Sequence, residues 1–286
     1  MKNLFVFLLF IGLFACQSTP IGEVQTEEVA IISATIDSLL VPSAAMDKTI
    51  PASIILPAAY YQDSSRRFPC VYLLHGYSGR HTSWIDQMPK IEKWANLFEV
   101  ILVLPDGDFN SWYLDSPIKE QRKYATHTGL ELPDYIDQNF RTIAQKEGRA
   151  ITGLSMGGHG AMYLAAQYPD QFGAVGSMSG GLDLRPFPKN WELADILGEA
   201  SAAAQNWEQY SVISQLDRFK GQNIPIYIDC GKDDFFFETN LQTHERLNQL
   251  GIPHEFIVRP GAHTWDYWEK VLPHHLLFFS EFFNPL

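Results

Sequence analysis

Ala150-Ile151-Thr152-Gly153-Leu154-Ser155-Met156-Gly157-Gly158-His159-Gly160 is the stretch on which the fold assignment turns. Ala150 to Thr152 form a short apolar strand, and Met156 to Tyr168 read as a Gly- and Ala-rich helix that Pro169 helps to end. Between them lies the pattern G-x-S-x-G. A serine at its centre must sit on a strained strand-to-helix turn, and glycines on either side let strand and helix approach without Cβ clashes. The pattern alone is short enough to occur by chance. Strand before and helix after make Ser155 a candidate nucleophile.

Working outward, strand-like runs alternate with helical ones, which predicts an α/β fold with a mostly parallel sheet covered on both faces. Residues 29–41 and 48–56 read as early strands ended by Pro42 and Pro57. Val71 to Leu74 runs into His75-Gly76, and Val100 to Leu104 into Pro105-Asp106-Gly107. Apolar residues from Leu130 to Phe140 recur at helical spacing, predicting a helix over 128–140. Ala174 to Met178, Ile224 to Ile228 and Glu255 to Val258 follow as strands, and a last helix runs from about Trp265 to Phe283. The segment 182–221 fits the alternation poorly. It reads either as a lid or substrate wall on the carboxyl side of the sheet or as an ordinary pair of covering helices.

A serine hydroxyl needs a general base, and in a chain of this pattern the order is nucleophile, acid, histidine. Of the histidines beyond the serine's helix, His263 stands in a loop between the last strand and the last helix, where a base can overhang the strand ends. His244 reads as exposed on a helix, His254 as part of a turn, and His274 and His275 as interior to the terminal helix. The acid should follow the preceding strand, in Asp229-Cys230-Gly231-Lys232-Asp233-Asp234. Asp229 is still within the strand and Asp233 is one position early, so Asp234 is favoured and Asp233 is its alternative. Two N–H donors are needed for a tetrahedral intermediate. The backbone of Met156 supplies one, and the loop His75-Gly76-Tyr77-Ser78-Gly79 supplies the other, most simply at Tyr77.

With these residues in place the sequence resembles the α/β-hydrolase esterases grouped with esterase D, which include S-formylglutathione hydrolases, tributyrin, feruloyl and acetyl-xylan esterases, and mycolyltransferases. The matching residues are Leu73-Leu74-His75-Gly76 with Trp84, Pro105-Asp106-Gly107 with Ser111-Trp112-Tyr113, Gly153 to Gly157, Cys230 to Asp234, and His263 with Trp265, Tyr267 and Trp268. The resemblance covers roughly residues 30–284. It implies Ser155, Asp234 and His263 as a triad with Tyr77 and Met156 as oxyanion donors. It also implies that Asn110 to Tyr113 line the acyl pocket, so Trp112 and Tyr113 are candidate substrate contacts, with aromatic packing the alternative for Trp112.

The ends and the composition bound the biology. Lys2 and the apolar run Leu4 to Phe14 form a secretory signal pattern, and Leu13-Phe14-Ala15-Cys16 resembles a lipoprotein lipobox. The expectation is a leader over 1–15, lipidation at Cys16, a polar tether over 16–28 and a catalytic domain over 29–286, held at a membrane by its lipid. At 286 residues and 46% hydrophobic the chain can bury a sizeable core, and a net charge of −12 offers no broad positive field for nucleic acid. Cys70 and Cys230 should be free buried thiols, because two strands between them put them roughly 14 Å apart at ~4.8 Å per strand, beyond a disulfide's reach of about 7 Å. No cofactor or metal is expected. Asp106, Asp108 and Asn110 have calcium-loop spacing, but Ser111 and Pro117 stand where that loop needs Gly and Glu.

The function expected is an exported serine carboxylic-ester hydrolase acting on acetyl or feruloyl groups of carbohydrate. A general short-chain carboxylesterase, an acyltransferase and a non-catalytic binding protein on the same fold are the alternatives.

Overall fold

In the strand Cys70–Leu74 (β3) every side chain is buried, and neighbours along it belong to different cores. Cys70, Tyr72 and Leu74 join one apolar cluster while Val71 and Leu73 join the other. That alternation is what a sheet covered on both faces requires. The computed structural model describes residues 34–284. The expected leader, Cys16, the tether and the first positions of the expected strand 29–41 lie outside the described residues.

Eight strands form one sheet in the order β1-β2-β4-β3-β5-β6-β7-β8. They are β1 Thr35–Ser43, β2 Lys48–Leu56, β3, β4 Ile101–Pro105, β5 Arg149–Gly153, β6 Ala174–Met178, β7 Ile226–Gly231 and β8 Glu255–Arg259. β1 and β2 pair antiparallel, β2 meets β4 antiparallel, and β3 to β8 are mutually parallel. The first core holds the helix Met156–Gln167, and the second holds the C-terminal helix Trp265–Phe283.

Three local readings change. Pro42 does not end β1, which runs on to Ser43 with Pro42 opposite Thr49. Because β1 is an edge strand, a residue lacking an N–H is tolerated there. The helix expected over 128–140 begins earlier, at Tyr124–Thr126, passes through a π-helical turn at His127–Glu131, and continues as Leu132–Asn139. Pro133 near the start of that last piece has no N–H with which to close an ordinary α bond to Gly129, which favours the wider turn. His244, read as exposed, is half-buried, with its Nδ1 2.7 Å from His254 Nε2 and its ring stacked on Phe256.

The segment 182–221 packs rather than projects. Leu182, Leu184, Ile196, Leu197, Trp207 and Val212 are buried in the first core. Cys70 on β3 and Cys230 on β7 are free buried thiols with two strands between them.

Two buried histidines load the fold against acid. Burial pushes the imidazole of His159 down to about 4, although its ring nitrogens face the carbonyls of Tyr210 and Trp112. Burial likewise pushes His275 down to about 3, with Thr152 Oγ1 3.0 Å from its Nδ1. Both are neutral in the native state but titrate near 6.5 when unfolded. Their contribution is therefore full above pH 6.5 and is lost as pH falls through the native values. Unfolding free energy should decline between pH 7 and 4.5, and His159→Gln should flatten that decline by about 2 kcal/mol. Equal slopes for parent and variant in denaturant titrations would count against this account.

Candidate active site

Ser155 has φ 55° and ψ −116°, a conformation that L residues rarely adopt. It is held there from several sides. Its N–H donates to Met178 O at 2.9 Å, its carbonyl accepts from His159 N–H at 3.0 Å, and Leu154 N–H donates to Leu74 O at 3.3 Å. Gly157 lies so close beneath β3 that a Cβ there would stand 2.5 Å from Leu74 O and 2.6 Å from His75 O. The G-x-S-x-G spacing thus has a physical cause: the serine turns back over a junction too tight for a side chain.

His263 reaches this serine from the loop after β8. Its Nε2 is 2.9 Å from Ser155 Oγ, and its Nδ1 is 2.8 and 3.0 Å from the two oxygens of Asp234. Asp234 is enclosed, with its side chain fully buried, and its Oδ1 also accepts the Phe236 N–H at 2.8 Å. That local bond fixes the carboxylate's rotation. Asp233, the alternative acid, is exposed. The imidazole is wedged among Phe235, Phe236 and Trp268, with ring centroids at 4.1, 5.5 and 4.8 Å.

The loop after β3 completes the surroundings. Ser78 N–H donates to Phe109 O and Gly79 N–H to Gly76 O. The N–H groups of Tyr77 and Met156 donate to no protein acceptor among the described residues. His75 braces this loop from within the protein. Burial lowers its pKa, its Nδ1–H donates to Gly76 O at 2.8 Å, and its Nε2 accepts the Gly107 N–H at 2.8 Å. A neutral imidazole in a single tautomer satisfies both.

Trp112 and Tyr113 are corrected here. They are 1% and 0% exposed and form no part of the cleft wall. The Tyr113 hydroxyl instead accepts the His75 N–H at 3.0 Å and donates to His75 O at 3.2 Å, and Trp112 packs between His159 and Trp191. Both stand at positive φ, 53° and 56°, which turns their rings inward. Asp106 and Asp108, which had calcium-loop spacing, serve the loops: Asp106 accepts the Asp108 N–H and Asp108 pairs with Arg122.

The cleft over Ser155 has a volume of about 640 Å³. It is lined by the aromatic rings of Tyr77, Trp191, Phe235, Trp265 and Trp268 and by the polar side chains of Arg80, Ser83, Asp86 and Gln87. Phe235 and Trp265 could have been anticipated from their adjacency to Asp234 and His263 in sequence. Trp191 could not. It comes from 182–221 and stacks on Phe235 at 5.6 Å.

A strained serine over a parallel sheet, with a histidine and a carboxylate delivered by successive strand ends, defines an α/β-hydrolase fold. The sequence matches the family described as "Putative esterase" over residues 43–279, and the chain belongs to that family. It is 29% identical to an acetyl esterase of Caldicellulosiruptor saccharolyticus, over 73% of this chain and 82% of the relative. It is 27% identical to a diacylglycerol acyltransferase/mycolyltransferase of Mycobacterium leprae, over 82% of this chain and 80% of the relative. The solved structure of a ferulic acid esterase superposes with a TM-score of 0.73 at 26% identity, covering 88% of this chain and 100% of that one. These likenesses support carboxylic ester hydrolysis as the chemistry.

Tyr113→Phe should isolate the brace behind the loop after β3. It leaves the buried His75 N–H without a partner and should lower unfolding free energy by about 1–3 kcal/mol. Urea titration of parent and variant measures this, and coincident midpoints would refute the brace.

Proposed function

We propose that this protein is a serine carboxylic-ester hydrolase in which Ser155 is the nucleophile, His263 the general base and acid, and Asp234 the group that orients the imidazole. The observation that carries the reading is the single imidazole hydrogen-bonded on one side to Ser155 Oγ and on the other to the buried Asp234 carboxylate. Ser155 Oγ attacks the ester carbonyl carbon as His263 Nε2 takes its proton, and the oxyanion is held by the N–H groups of Tyr77 and Met156. The tetrahedral intermediate then collapses, and His263 returns the proton to the departing alcohol. Water, deprotonated by the same imidazole, releases the acyl group and restores Ser155.

For substrate we infer an acyl ester of carbohydrate, acetyl or feruloyl. The names of the acetyl esterase and ferulic acid esterase relatives support it, as does a cleft whose lining combines aromatic rings suited to a flat acyl group with polar side chains suited to hydroxyls. A second reading, acyl transfer to an alcohol acceptor, is favoured by the mycolyltransferase likeness. Export and an acylated Cys16 complete the proposal, on the leader and lipobox pattern.

Ser155→Ala should lower kcat for p-nitrophenyl acetate by ~10⁶-fold and abolish labelling by a fluorophosphonate. Retained turnover in the purified variant would sink the nucleophile assignment. Turnover of acetylated xylo-oligosaccharide and methyl ferulate should exceed that of tributyrin, and the reverse order would favour a general short-chain esterase. New glycosyl esters appearing on addition of sugar acceptors would favour the transferase. Cys16→Ser should abolish incorporation of labelled palmitate in a host that processes lipoproteins, and undiminished incorporation would remove the anchor.

A further inference from the structure

Of the three aspartates around the end of β7, Asp234 meets His263 and Asp233 faces solvent, which leaves Asp229 unexplained. Its side chain is fully buried, and it accepts hydrogen bonds from the Arg259 guanidinium on one oxygen and from the Tyr267 hydroxyl on the other. Arg259 is the last residue of β8, and Tyr267 lies in the first turn of the C-terminal helix. These partners stand four residues before and four residues after His263. One carboxylate therefore ties down both ends of the loop that carries the imidazole.

The contacts between the two ends agree with this. The Tyr267 ring lies against Gly261, at φ 148°, so closely that a Cβ there would overlap it. Gly261 O accepts the Asp233 N–H at 2.9 Å, and Arg259 O accepts the Lys232 N–H at 2.8 Å. The loop of His263 is thus sewn to the turn that presents Asp234, and the stitching converges on Asp229. Burial pushes the Tyr267 phenol up, so it remains the donor to the carboxylate. A buried ion pair of this kind is a poor source of net stability, because desolvation offsets the attraction and apolar residues of equal volume do as well. Its directional bonds specify position instead.

We infer that Asp229, acting through Arg259 and Tyr267, is a positioning residue that holds His263 in register between Ser155 and Asp234. The inference rests on the hydrolase reading for its kinetic consequence but not for its geometric one. Displacing a reacting group by about 1 Å can cost ~100-fold.

The test uses Tyr267→Phe, which keeps the ring against Gly261 and removes only the hydroxyl, together with Asp229→Asn and the pair Arg259→Lys and Arg259→Met. Activity is expressed per site titrated with fluorophosphonate, and the His263 Nδ1–H resonance is followed by proton NMR in histidine-labelled protein. Tyr267→Phe should lower kcat for p-nitrophenyl acetate roughly 10- to 100-fold at unchanged KM and should broaden the Nδ1–H signal by faster exchange with water. Arg259→Lys should retain more kcat than Arg259→Met. Lowered thermal stability with an unaltered Nδ1–H signal and unaltered kcat per titrated site would overturn the inference. If Asp229→Asn does not fold, Tyr267→Phe decides alone. If the parent turns over no ester, the hydrolase reading fails while the NMR comparison still decides the positioning.

Discussion

The rest of the structure depends on a backbone constraint, the turn that holds Ser155 at φ 55°. A non-glycine residue stays in such a conformation only where its surroundings over-determine it. Here they do so from both sides. β6 takes the serine's N–H through Met178 O, and Gly157 is pressed against the carbonyls at the end of β3. The loop after β3 lies alongside the same turn, where a Cβ on Gly76 would stand 2.6 Å from Leu154 Cδ1 and 3.4 Å from Ser155 Cβ.

Around this turn the protein uses directional bonds where position matters and aromatic area where it does not. His75 joins Tyr113, Gly76 and Gly107 in a set of hydrogen bonds under the loop after β3. Asp234 has its rotation fixed by the Phe236 N–H, and Asp229 ties the two ends of the His263 loop. Aromatic rings fill the space between. Phe236, fully buried, and Trp268, which also lines the cleft, border the imidazole, while Phe235, 52% exposed, covers it from the cleft. The outcome is a nearly enclosed pair of Asp234 and His263 beneath an open cleft, which keeps water from competing for the Asp234 carboxylate.

Much of this was legible in the chain because it is local. The sheet-forming runs announce themselves by apolar content and by the turn residues that stop them, and β6 falls where the sequence places it, at Ala174–Met178. G-x-S-x-G, the turn after β7 that carries Asp234 and the histidine after the last strand are short-range patterns whose backbone geometry is set within a few residues. What misled was also local. The resemblance implied that Asn110 to Tyr113 line an acyl pocket, yet Trp112 takes its packing alternative and Tyr113 is buried, both at positive φ.

The chain's pattern alone located the strands that end at the site, the turn at Ser155, and the placement of Asp234 and His263 after successive strands. Each follows from periodicity, turn chemistry or chain order. Only the tertiary structure decided that Tyr113 braces the loop after β3, that Trp191 lines the cleft, and that Asp229 faces Arg259 and Tyr267. Those contacts join residues 30 to 44 positions apart, and no local pattern encodes such distances. They arise when parallel strands align their carboxyl ends and bring loops from separate crossovers onto one edge of the sheet.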